Sequence, residues 1–184
     1  MRIRPFEHRD IAPACRLTNH FIAHTAIHFG TTLLSDADFA ATWPSAAPAR
    51  APSTPTPAQL TALPASAWQP HFPWLTAELD GTFAGYAKSG TWRARDAYAR
   101  TSEVTVYVDP AFHRKGIGRA LYIELFASLK RAGFHTAIGG ITLPNAGSVA
   151  LHESLGFVHV GTCREVGKKF DRWHDVGFWQ LMLT

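Results

Sequence analysis

The β-branched and aromatic run Thr105-Val106-Tyr107-Val108 passes through Asp109-Pro110 into His113-Arg114-Lys115-Gly116-Ile117-Gly118-Arg119-Ala120-Leu121, and few folds accept that order of residue types. It reads as a buried strand, a basic glycine-containing turn and a helix. Gly116 and Gly118 carry no Cβ, so backbone N–H groups there can approach the oxygens of a pyrophosphate, and the helix start adds unpaired donors and the positive end of its dipole. Arg114 and Lys115 put cationic charge at the same place. Glycines also make ordinary strand-to-helix turns, so the spacing alone leaves a structural reading open beside the functional one.

The rest of the chain narrows the choice. Its 184 residues suffice for one core and are too few for two ordinary domains, so residues 1–184 are expected to form a single domain. The formal charge of +4 suits an anionic ligand, but the 18 basic residues are scattered, with no long run that would mark a nucleic-acid surface. Cys15 and Cys163 lie far apart and lack metal-ligand spacing, so neither a disulfide scaffold nor a metal site is expected, and a reducing cytoplasm is the simplest setting. No apolar signal core opens the sequence and no run approaches the roughly 20 residues needed to span a bilayer, so a soluble protein without membrane partners is expected.

Periodicity predicts a strand at Arg2 to Pro5 and a helix from Asp10, its N-cap, carrying Ile11, Cys15, Leu17, Phe21 and Ile22 inward. Eight of the 12 prolines fall between positions 44 and 73, which forbids a continuous helix and predicts a loosely packed Pro/Ala-rich excursion, with short helical turns at 36–43 and 57–63. Strands at 74–79 and 82–92 flank an Asp80-Gly81 turn. A central strand at 102–108, a helix at 116–132, a strand at 136–141, a helix at 145–155 and strands at 158–166 and 176–183 complete the order. The expected fold class is α/β: a mixed, mostly antiparallel sheet with helices on both faces.

Two ordered segments carry a resemblance. The turn at 113–118 resembles the acyl-CoA pyrophosphate loop of the GNAT superfamily of N-acetyltransferases, with His113 where that superfamily usually has Gln or Arg. Leu143-Pro144-Asn145 followed by Ser148-Val149-Ala150-Leu151-His152-Glu153-Ser154-Leu155-Gly156-Phe157 resembles its second cofactor segment. Within the superfamily nearly the whole chain is similar to the phosphinothricin N-acetyltransferase group, through Asn19-His20-Phe21-Ile22, Trp92-Arg93-Ala94-Arg95, Tyr98, Glu103 and Trp173-His174-Asp175-Val176-Gly177-Phe178-Trp179-Gln180. Only the proline-rich excursion lacks a counterpart.

The resemblance implies the GNAT fold and direct transfer of an acetyl group from acetyl-CoA, a co-substrate, to the α-amino group of a small glutamate-like compound such as phosphinothricin or methionine sulfoximine, without a metal. A polyamine, an aminoglycoside or a protein N-terminus is the alternative acceptor, and a non-catalytic acyl-CoA-binding protein the alternative class. A homodimer is expected. On the alternating central strand Glu103, Thr105 and Tyr107 share one face. A carboxylate there can take the ammonium proton if burial raises its pKa, the role the resemblance gives Glu103; the competing reading is a solvated residue at a strand end. His152 lies about two helical turns after Asn145, so both can project from one side. The resemblance makes it the donor to the leaving CoA thiolate, against a place in the core beside Leu151 and Leu155.

Cofactor contacts are expected from Val106, Tyr107 and Val108, from His113, Arg114, Lys115, Gly116, Ile117, Gly118 and Arg119, and from Asn145 and Ser148, the last two also explained as helix-start residues. An oxyanion donor can come from a backbone N–H near Val106 or Tyr107 if the central strands splay. On the acceptor side Arg93, Arg95 and Tyr98 are candidates for binding acid groups, Phe29 for closing an apolar wall and Lys169 for reaching the mouth; each has an ordinary surface or core reading as well.

Overall fold

A computed structural model describes residues 1–44 and 71–183. The 57–63 helical turn and most of the 44–73 excursion therefore lie outside the described residues. The strands are β1 (Arg2–Pro5), β2 (Trp74–Leu79), β3 (Thr82–Thr91), β4 (Thr101–Val108), β5 (Thr136–Leu143), β6 (Val158–Lys169) and β7 (Arg172–Met182). The helices are α1 (Ile11–His24), α2 (Asp36–Thr42), α3 (Ile117–Arg131) and α4 (Ala146–Ser154). One sheet of order β1-β2-β3-β4-β5-β7-β6 contains a single parallel pairing, β4 with β5. This is the mixed, mostly antiparallel sheet the sequence predicts. No helix among the described residues is long and apolar enough to cross a membrane.

Alternation along β4 divides the core. Val104 packs with Leu121, Leu125 and Leu129 of α3, whereas Tyr107 packs with Leu17 and Phe21 of α1, Phe39 of α2, and Trp74 and Tyr86 of the neighbouring strands. The inner stripe of α3 also takes in Tyr122 and Phe126, which the aliphatic periodicity passes over.

Two details depart from the sequence reading. Asp10 does stand at the α1 N-cap position, but its carboxylate makes no cap bond to that helix. It instead accepts from Arg4 at 2.6 and 2.7 Å, from the Glu7 N–H at 2.8 Å and from the Thr76 hydroxyl at 2.9 Å, tying α1 to β1 and β2. The final strand begins at Arg172, four residues before the expected 176, because β6 and β7 form one long hairpin. Its two-residue turn, Phe170-Asp171, has both φ angles positive, at 51° and 56°, without a glycine to announce it. The Asp80-Gly81 turn has the same signs, 50° and 78°, and was legible.

Candidate active site

The parallel pairing of β4 with β5 covers only Thr101, Ser102 and Glu103 against Thr136, Ala137 and Ile138. Past that point the ladder stops, and the wedge it leaves is the site. An inner cavity of about 60 Å³ lies between Thr105, Val106 and Tyr107 on one strand and Gly140, Ile141 and Thr142 on the other, with Tyr122 and His152 also in its wall. An outer cavity of about 440 Å³ shares Ile27, Val106, Tyr107, Asn145 and Ser148 with it and runs on to the basic turn.

Of the twelve expected cofactor residues, eleven line these cavities: Val106, Tyr107, Val108, His113, Arg114, Gly116, Ile117, Gly118, Arg119, Asn145 and Ser148. The turn is shaped by two left-handed residues, Arg114 at φ 61° and Gly116 at φ 75°. A Cβ on Gly116 would meet nothing within 4 Å, so the space beside it is open for a ligand. Lys115 departs from expectation: its ammonium lies 5.2 Å from the Phe112 ring centroid and it is not among the lining residues. The His113 Nε2 donates to the Val108 carbonyl at 3.0 Å, so the imidazole braces the strand-to-turn junction. Arg119 donates to the Ser154 carbonyl and hydroxyl at 3.2 Å, which joins the start of α3 to the end of α4. Gly147 and Phe112, which carried no sequence signal, also line the cavity, as does Leu151 of the second cofactor segment.

Asn145 caps α4, its side-chain oxygen accepting from the Ser148 N–H at 3.1 Å. Two turns on from Asn145, His152 is buried and both ring nitrogens are engaged. The Ser148 carbonyl can only accept, so Nδ1 carries the proton and donates to it at 2.8 Å, leaving Nε2 to accept from the Tyr122 hydroxyl at 3.2 Å. Burial holds the imidazole below its ordinary pKa, with the Ser148 carbonyl pulling it partly back, so His152 rests neutral. Burial pushes the Tyr122 phenol well above its usual range.

Gly139 and Gly140, which the sequence reading passed over, thin β5 on both faces. A Cβ on Gly139 would lie 2.6 Å from His152 Nε2, so only glycine seats that imidazole against the strand. On the opposite face Glu103 Oε1 stands 3.8 Å from where a Gly140 Cβ would be, beside a lining residue of the inner cavity. Glu103 is open to solvent on one side, yet the surrounding wall strips enough hydration to raise its carboxyl above the usual range, partly offset by Lys88. Gly139→Ala is expected to displace the imidazole and bring kcat down to the level of His152→Ala. If both act through one seat, the double variant will be no slower than either single variant. Wild-type kcat in folded Gly139→Ala would show that the seat does not matter.

The acceptor-side candidates are more dispersed. Arg93 stacks its guanidinium over Trp92 and Tyr98, 5.3 and 6.0 Å from their centroids, and Trp92 abuts Phe178 of β7. Arg95 is exposed and opens the short 3-10 turn Asp96–Tyr98. Phe29 packs onto Gly167 and faces His174 of the β6–β7 hairpin. Lys169 does not reach the mouth. It is buried, and its ammonium donates to the Ile22 and His28 carbonyls at 2.7 and 2.6 Å, pinning the segment that carries Phe29.

The acetyltransferase (GNAT) family model matches residues 39–157. Phosphinothricin N-acetyltransferase of Streptomyces viridochromogenes is 39% identical over 180 residues, 98% of this chain and 86% of that protein. The L-methionine sulfoximine/L-methionine sulfone acetyltransferase of Salmonella typhimurium is 36% identical, covering 100% of this chain and 95% of the relative. Among solved structures, an acetyltransferase of Salmonella typhimurium with its cofactor acetyl-CoA superposes with a TM-score of 0.80 at 34% identity, over 100% of this chain and 94% of the other.

Proposed function

Because this chain belongs to the GNAT acetyltransferase family and is an acetyl-CoA-dependent N-acetyltransferase, we propose that its acceptor is the α-amino group of a small glutamate-like compound, of the kind that phosphinothricin and methionine sulfoximine represent. The observation that carries this reading is the wedge between β4 and β5, which joins a phosphate-sized turn at one end to a carboxylate and a neutral imidazole at the other.

Acetyl-CoA lies with its pyrophosphate on the N–H groups of residues 114–119 and its pantetheine arm along the wedge, where unpaired strand edges supply hydrogen bonds. Glu103 takes a proton from the acceptor ammonium, directly or through water, and the free amine attacks the thioester carbonyl. A backbone N–H near Val106 or Tyr107 donates to the oxyanion. The C–S bond then breaks with its electron pair going to sulfur, and the thiolate is protonated from the His152 end. His152, neutral at rest, first takes up the proton that the attacking nitrogen loses. Ser148 O and Tyr122 Oη satisfy both ring nitrogens in either state, since the hydroxyl can accept from Nε2–H as readily as it donates to Nε2. Arg93, Arg95 and Tyr98 hold an acid group of the acceptor.

A panel of amino-acid analogues assayed for CoA-thiol release tests the acceptor class. Glutamate-like acids are expected to lead; preference for polyamines, aminoglycosides or peptide N-termini would overturn it. A second copy of the chain covers β6, one of the sheet's two edge strands, where Val158, Val160 and Val166 are 67%, 54% and 55% exposed. Sedimentation equilibrium is expected to give a dimer, and a monomer at micromolar concentration would refute it. The enzyme draws on acetyl-CoA and works in the cytoplasm, where Cys15 and Cys163 stay as free thiols.

A further inference from the structure

Charged side chains withdrawn from water normally have partners, and the buried cations here do. Arg4 binds Asp10 and Glu78, and Lys169 donates to two carbonyls. Lys88 is half-buried and different. Among the described residues no carboxylate lies within ion-pairing distance of its ammonium and no carbonyl accepts from it; its neighbour is the Trp74 ring, whose centroid is 5.2 Å away. The carboxylate of Glu103 likewise has no hydrogen-bond partner among the described residues.

These two unpaired groups are neighbours. Lys88 is the register partner of Thr105, and Glu103 lies two residues along the same strand, so both project from the face of the sheet that α1 covers. Diagonal neighbours of this kind sit about 7–8 Å apart at the backbone, so their two side chains can reach opposite ends of one α-amino acid through charge-assisted hydrogen bonds. Opposite charges that face one side without closing on each other are complementary to a zwitterion: ammonium to Glu103, carboxylate to Lys88. Burial lowers the Lys88 pKa and raises that of Glu103, and each partly offsets the other, as expected of two groups each short of a counter-ion.

We propose that Lys88 is a specificity-determining residue that binds the α-carboxylate of the acceptor while Glu103 receives its ammonium, leaving Arg93, Arg95 and Tyr98 for the distal acid group. This rests on the acceptor class proposed above. It makes the α-carboxylate a requirement of the site and distinguishes an α-amino acid from an amine of the same side chain.

The test uses three acceptors, methionine sulfone, its α-carboxamide and the amine left when its carboxylate is removed, with acetyl-CoA saturating. Lys88→Met should lower kcat/KM for the acid by about 10- to 100-fold, mainly through KM, the range for losing a hydrogen bond to a charged group. The amide and the amine should stay close to their wild-type values. Lys88→Arg should keep the preference for the acid, and Lys88→Glu should shift it toward the amine. Acetyl-CoA affinity measured on the same preparations reports that each variant is folded. An equal loss on all three acceptors would reduce Lys88 to packing against Trp74, and an unchanged acid-to-amide ratio would remove it from the site. Failure of the wild-type enzyme to acetylate any amino acid would instead overturn the acceptor class, and this inference with it.

Discussion

Glu103→Gln is expected to lower kcat by about 10²- to 10⁴-fold while acetyl-CoA affinity stays close to wild type, the range for removing a general acid or base. Glutamine keeps the shape and one hydrogen-bonding oxygen but cannot accept the ammonium proton. The sign of the pH dependence follows from the environment. Burial raises the Glu103 carboxyl above its ordinary value, with Lys88 opposing, so the acid limb of kcat/KM in the wild-type enzyme should lie above the usual carboxylate range. Below that limb Glu103 is already protonated and cannot serve as a base. In Glu103→Gln the limb should disappear and activity should climb with pH, because solution then supplies the free amine. His152→Ala should not show that rescue if its task is to protonate the thiolate. A Glu103→Gln profile with full activity near neutrality would exclude Glu103 as the base.

Much of this site was legible because backbone-determined features leave strong marks on a sequence. The strand-turn-helix at 105–121 needs β-branched residues, then a left-handed position that glycine fills, then helix periodicity, and each is visible in one dimension. The face carrying Glu103 followed from strict alternation. What escaped depends on contacts between distant segments. Gly139 and Gly140 gave no mark of their own within the expected strand, and only His152 on one face and Glu103 on the other show what their missing side chains make room for. Tyr122 falls outside the aliphatic stripe expected of its helix, and its partner, His152, lies 30 residues away. Lys169 was expected to reach the mouth of the acceptor pocket, but the two carbonyls that draw it inward belong to Ile22 and His28, which no local pattern connects to it. Asp10 was read as a cap since capping is the common use of an aspartate before a helix, whereas Arg4 and Thr76 compete for the same oxygens and win.

That competition sets up the largest stability effect. Asp10→Ala is expected to destabilise the fold by about 3–5 kcal/mol, the cost of removing one partner from a buried ion pair. The side chains of Arg4 and Asp10 are only 6% and 4% exposed, so the guanidinium left behind cannot recover its hydration and keeps Glu78, 2.6 Å away, and the more distant, half-exposed Glu7 at 3.9 Å as its counter-charges. The Glu7 N–H and the Thr76 hydroxyl lose their acceptor as well. Replacing both ions with apolar residues should therefore recover only part of the loss. For a chain of this size the melting temperature should fall by about 10 °C or more. Burial alone would push the Asp10 carboxyl up, but the hydrogen bonds from Arg4, Glu7 and Thr76 outweigh it and hold the group below its ordinary value. Its stabilising contribution is thus fully present above the unfolded value of about 3.9 and is lost as pH falls through the lower folded value. The stability gap between wild type and Asp10→Ala should shrink in acid and hold constant from mild acidity to neutrality. Because the cluster lies at β1, the sheet edge away from the β4–β5 wedge, kcat measured well below the melting transition should be unchanged. A wild-type melting temperature in Asp10→Ala, or a gap that persists at the acid end, would show that the ion pair does not hold α1 to the sheet.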